Sequence, residues 1–186
     1  MKKILLVAGL ALFGTASAQT FGIKGGVNVS SISGEDTKAK VGFGGGLFMN
    51  APIAESFSIQ PEILYNMKGA ESEGGIDASI KLDYISVPVM FQYNATPQFY
   101  LEAGPEFSFL TSAKLKLGNE SGDVKELFKS FDLGIGIGAG YYFTPNFGLT
   151  ARYVAGVTEV LDADADSSDK STNNVFSVGL AYKFGK

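Results

Sequence analysis

The stretch 132–143, Asp-Leu-Gly-Ile-Gly-Ile-Gly-Ala-Gly-Tyr-Tyr-Phe, decides how this chain is read. Leu133, Ile135, Ile137, Ala139, Tyr141 and Phe143 share one face, while Asp132, Gly134, Gly136, Gly138 and Gly140 share the other. A period of two is the signature of a β-strand. Glycine at every second position inside such a pattern, with no helix following, does not make a nucleotide-binding loop; it marks the crowded inner face of a narrow barrel.

Working outward, the same alternation of apolar against small or polar residues recurs seven more times. Residues 21–30 set Phe21, Ile23, Val27 and Val29 against Lys24 and Asn28, and residues 40–50 set Val41, Phe43, Leu47 and Met49 against Gly42, Gly44, Gly46 and Asn50. In 57–68 the inner set holds Glu62, Asn66 and Lys68. Residues 80–93 carry Ile85, Val87, Val89, Phe91 and Tyr93 outward, with an expected slip of phase and a β-bulge near Tyr84, because Ile80, Leu82 and Tyr84 would otherwise share the face of Ser86. Residues 99–109 turn Glu102 and Glu106 inward, 147–158 do the same with Arg152, and 174–184 close the series with Phe176, Val178, Leu180, Tyr182 and Phe184 outward. Strands that are apolar on the outside and polar on the inside are what a barrel in lipid requires. The expected fold is all-β, a closed antiparallel up-and-down transmembrane β-barrel of about eight strands.

The connections alternate in length. Segments 51–56, 94–98 and 144–146 are short and contain Pro52, Pro97 and Pro145, which mark tight turns. Segments 31–39, 69–79, 112–130 and 159–173 are long and polar. Short turns on one side and long loops on the other are the pattern of a bacterial surface barrel, and Phe57, Tyr93, Phe99, Phe143, Phe147 and Phe184 gather at the short-turn end as an interfacial belt would.

The first 18 residues carry Lys2 and Lys3, an apolar run 4–13 and Ala16-Ser17-Ala18, the layout of a cleavable signal peptide; 19–186 is the barrel domain. No other stretch is apolar for long enough to be a spanning helix. Without Lys2 and Lys3 the 15 basic residues fall to 13 against 19 acidic ones, a net charge of −6, which disfavours nucleic acid as a partner. Cysteine and histidine are both absent, which removes thiolate chemistry, the commonest general base and the usual transition-metal ligands. No cofactor and no catalytic site are expected.

Charged residues on inner faces form the candidate site: Lys24, Glu62, Glu102, Glu106, Asp132 and Arg152, the only arginine of the chain. Eight strands leave a lumen only wide enough to be filled by side chains, so these charges have to pair, and Glu102 and Glu106 are the expected partners of the Arg152 fork. Asp162, Asp164, Asp166 and Asp169 are the one group that could meet a hard cation, but Ser167 and Asn173 stand where a calcium loop wants glycine and glutamate, so a solvated loop is the expectation and a metal site the weaker alternative. Glu71, Glu73 and 121–129 read as exposed loop surface.

FGIKGGVN at 21–28, LDYISVPVMFQYN at 82–94, YLEAGPEFSFL at 100–110 and FDLGIGIGAGYYF at 131–143 together resemble the small outer-membrane barrels of Bacteroidetes, the PorT-like or porin-family barrels, and more loosely barrels of the OmpA and OmpX type. The resemblance implies an eight-stranded barrel in the outer membrane and no single activity. Ser177, Gly179, Tyr182 and Phe184 are similar to the assembly signal read by the outer-membrane insertion machinery, although Gly185 and Lys186 follow the final aromatic residue; no peptidoglycan-binding domain of the OmpA type is expected. The expected role is a non-catalytic surface barrel in outer-membrane lipid whose loops contact an extracellular or envelope protein. A narrow diffusion pore, an accessory part of a secretion complex, and a soluble lipid-binding barrel are the alternatives. The last would need a polar outside and an apolar inside.

Overall fold

The computed structural model describes residues 19–33, 37–72, 78–118, 120–160 and 171–185. The signal-peptide segment and the aspartates at 162, 164, 166 and 169 lie outside the described residues. The elements are β1 (Thr20–Ile32), β2 (Thr37–Ala54), β3 (Phe57–Ser72), β4 (Ala78–Asn94), β5 (Phe99–Leu117), a short β6 (Glu120–Asp123), a single 3-10 turn (Lys125–Leu127), β7 (Phe131–Tyr142), β8 (Phe147–Gly156) and β9 (Asn173–Phe184). All pairings are antiparallel, and β4 pairs with β5 while β1 pairs with β9, so the sheet closes on itself. Eight strands form the wall. The ninth, β6, only folds back on the end of β5.

Closure leaves no unpaired edge, which is the condition for a sheet in hydrocarbon, where an unsatisfied backbone amide has no water to bind. The outer face is apolar: Phe43 is 63% exposed, Val41 62% and Ile63 61%, values that bury nothing within the chain and suit contact with lipid. Aromatic residues bound this face at both ends. Phe57 stacks with Tyr93 (5.3 Å), Phe143 with Phe147 (6.1 Å) and Tyr182 with Phe184 (5.9 Å) at the turn end, and Phe109 with Phe131 (5.6 Å) towards the loops. Two of the turns share the sequence Thr-Pro-x-Phe. Thr96 Oγ1 accepts from the amides of Gln98 and Phe99, and Thr144 Oγ1 from those of Asn146 and Phe147, so each hydroxyl satisfies amides the ladder cannot reach.

Three sequence expectations need correction. First, β4 keeps its phase: Leu82, Tyr84, Ser86 and Met90 all point inward and all are fully buried. The irregularity at Tyr84 belongs to β5, where Asp83 pairs with Ser112 and Tyr84 with Leu110, leaving Thr111 as the extra residue, its hydroxyl bonded to the Asp83 carbonyl at 2.8 Å. The apparent slip arose because the lumen is apolar at that level. Second, Pro52 lies within β2, so the first short connection shrinks to Glu55 and Ser56. Third, three of the long connections are largely strand: in 31–39 β1 runs on to Ile32 and β2 starts at Thr37, in 69–79 β3 runs on to Ser72 and β4 starts at Ala78, and in 112–130 β5 continues to Leu117 and β6 follows. Above the membrane both faces of a strand can be polar, which erases the alternation that would reveal it.

Candidate functional site

The lumen is filled in layers. Towards the loops Ile32, Ala70, Leu82, Tyr84, Leu110 and Ala113 from the wall pack with Phe128 and Val160 from the connections. The connections are tied down there: the Lys129 amide donates to the Val160 carbonyl and the Val160 amide to Ser171, each at 2.9 Å. At the turn end Phe48, Tyr100, Tyr142 and Ala181 form a second apolar layer, with Lys183 Nζ 3.8 Å from the Tyr142 ring centre.

Between them lies a charged layer. Arg152 on β8 donates from Nη1 and Nη2 to the two oxygens of Glu62 on β3 (2.9 and 2.8 Å) and from Nε to Glu102 on β5 (2.7 Å). Lys24 on β1 donates to the same Glu62 at 3.0 Å. Around the closed wall β1, β3, β5 and β8 are alternate strands, and β3 and β8 stand opposite each other. One layer of side chains is therefore drawn from every second strand, as it is inside other narrow barrels. The strands between them make room with glycine. A Cβ on Gly138 of β7 would sit 3.0 Å from Glu102 Oε1, and one on Gly140 would enter the Tyr100 ring. This is why glycine takes every second place in 132–143.

Amides complete the layer. Gln60 donates to Glu62 (2.8 Å), Gln92 to Glu102 (3.0 Å), and Asn50 to Gln92 (2.7 Å). Glu106 does not reach Arg152, contrary to the sequence expectation; it pairs with Lys68 at 3.1 Å, and Lys68 also donates to Ser108. The stagger between strands of a barrel shifts Glu106 above the arginine. Asp132 stands apart from these ion pairs as well, accepting from Thr158 (3.0 Å) and Asn173 (3.0 Å). The sequence reading left Lys68, Gln60 and Gln92 out of the site, though their parity with Glu62 and Glu102 marks them as inward. Ser177 and Gly179 lie on the inner face of β9, Ser177 donating to the Arg152 carbonyl at 3.3 Å, and Tyr182 and Phe184 lie outward, paired with Ile23 and Phe21 of β1.

A closed barrel with an apolar outside and an ion-paired, filled inside is an integral membrane barrel. The inversion needed for a soluble lipid carrier is not found. The chain belongs to the family described as outer membrane protein beta-barrel domain, whose profile matches residues 17–162, and its place is the outer membrane. Similar solved structures include Neisserial surface protein A, NspA (TM-score 0.57, 19% identity, 90% of this chain and 98% of that one). Ail, the attachment invasion locus protein of Yersinia pestis, solved in complex with the heparin analogue sucrose octasulfate, is another (TM-score 0.54, 17% identity, 90% and 99%). At these identities the likeness is one of fold. No curated protein sequence matches the chain.

Proposed function

We propose that this protein is a non-catalytic anchor, a plugged barrel that holds its loop end rigid at the cell surface for contact with an extracellular or envelope partner. The observation that supports this is the triple filling of the lumen: two apolar layers with the Arg152–Glu62–Glu102 cluster between them. The loop-end layer is built partly by the connections themselves, through Phe128 and Val160, which favours a fixed platform over a gate. The narrower affinity to PorT-like barrels of Bacteroidetes rests on the segment 82–88, Leu-Asp-Tyr-Ile-Ser-Val-Pro. In planar bilayers the wild-type protein is expected to show no steady conductance. A large, stable channel would establish the diffusion-pore reading instead.

A further inference from the structure

Beyond the outer aromatic belt the wall carries an unusual run of lysines. Lys81 on β4 and Lys114 on β5 are direct cross-strand partners, both exposed and both on the outer face, and Lys116 follows two residues further on. Like charges opposite each other destabilise a sheet, so this pair has no structural reason to exist. Lys40 of β2 joins them across β3 because Gly69, at φ +144°, leaves that strand bare: Lys40 Cδ lies 3.1 Å from where a Gly69 Cβ would stand. The four lysines line a groove of about 480 Å³ whose lower wall is Val41, Phe43 and Met67, part of the lipid-facing surface. Three acidic groups, Glu71, Asp83 and Asp123, stand around the four lysines and offset part of their charge, leaving the groove with an excess of positive charge. Glu71 is 3.9 Å from Lys40, and Asp123, opposite Lys114, accepts from the Lys125 amide at 2.9 Å.

The height of the groove follows from the strands. Outward residues of β4 from Tyr93 to Ile85 fill the nine or so positions that cross the hydrocarbon, and Lys81 comes four residues later, about 10 Å higher on a strand tilted by roughly 45°. That is headgroup level.

We propose that this groove binds a phosphorylated lipid of the surrounding leaflet, its phosphates between Lys81, Lys114, Lys116 and Lys40 and its acyl chains against Phe43 and Met67. Charge complementarity selects the headgroup, and the apolar lower wall requires the attached chains. The repulsion between Lys81 and Lys114 is then relieved further when the lipid is bound.

The test uses the mature protein refolded in neutral detergent and titrated with diphosphoryl lipid A, with the same lipid dephosphorylated, and with inorganic phosphate, counting retained lipid by native mass spectrometry. The diphosphoryl lipid is expected to be retained, and to be lost at high salt. A lysine near an anionic surface contributes roughly fivefold in binding, so Lys81→Gln with Lys114→Gln should weaken retention by at least about tenfold. The same variant should be no less resistant to unfolding than the parent, since a repulsive pair has gone. Lys81→Arg with Lys114→Arg should bind as the parent does, and so should Lys125→Gln with Lys129→Gln, which lie outside the groove. Equal retention of the dephosphorylated lipid, displacement of the lipid by inorganic phosphate, or unchanged retention in the glutamine variant would each overturn the proposal.

Discussion

Truncating Arg152 to alanine removes the guanidinium from both carboxylates at once, and the two are left in different states. Glu62 keeps Lys24 at 3.0 Å and Gln60 at 2.8 Å. Glu102 keeps only the Gln92 amide at 3.0 Å, so it becomes the stranded charge. Breaking a buried ion pair by removing one partner costs about 3–5 kcal/mol. A cavity of about 50 Å³, lined by Arg152, Lys24 and Lys68, already adjoins the cluster, and water entering the vacated space holds the cost to the lower end, about 3 kcal/mol. With about 1–3 kcal/mol per molar urea, the midpoint of unfolding should fall by roughly 1–3 M. The chain has no tryptophan, so the transition is followed by far-ultraviolet circular dichroism and by the migration of the unheated protein in gels. Adding Glu102→Gln to Arg152→Ala should recover most of the loss, because the neutral amide no longer needs a cation. Arg152→Lys should recover only part of it, since one ammonium cannot span both Glu62 and Glu102. An Arg152→Ala protein as resistant as the parent, or a double variant no better than the single one, would refute the assignment of the cluster as a brace.

The remaining predictions concern packing, assembly and orientation. Gly140→Leu places its Cβ inside the Tyr100 ring and should lose more than about 2 kcal/mol in the same urea assay, whereas Gly122→Ala, with nothing within 4 Å, should be close to neutral. Tyr182→Ala with Phe184→Ala should lower the amount of protein in the outer membrane and leave degradation products in the periplasm; unchanged surface abundance would remove these residues from any insertion signal. An epitope tag inserted at Asp166 should be labelled on intact cells, and one at Pro145 should stay hidden until the cells are opened.

The wall of the barrel was legible because lipid outside and a polar filling inside force opposite chemistry onto successive residues, as in Ile135, Gly136 and Ile137. Where that contrast vanishes, so does the signal. Leu82 and Tyr84 point inward into an apolar layer and so imitate a change of phase, while Lys114, Ser112 and Lys116 stand above the lipid, where a strand looks like a loop. Which charges share the lumen was readable from parity, but which ones touch was not. Partners such as Arg152 and Glu62 are 90 residues apart, and their heights depend on the stagger accumulated around the ring.

That remoteness gives the charged layer a second consequence. Arg152 on β8 can meet Glu62 on β3 only when β9 has paired with β1 and the wall is closed, since the two strands face each other across its full width. Among the described residues the lumen holds Lys24, Lys68, Arg152 and Lys183 against Glu62, Glu102, Glu106 and Asp132, four charges of each sign that balance in the closed state. A register slip of one residue in β8 would turn Arg152 towards lipid, at a cost of about 2–4 kcal/mol near the middle of the bilayer, and would leave Glu62 and Glu102 facing each other with Lys24 as their one cation. The same side chains that fill the lumen therefore select the register of closure. Clearing a path through the described lumen would need the arginine, its two carboxylates and an aromatic layer to leave together, against the ion pairing that made the barrel close in this register.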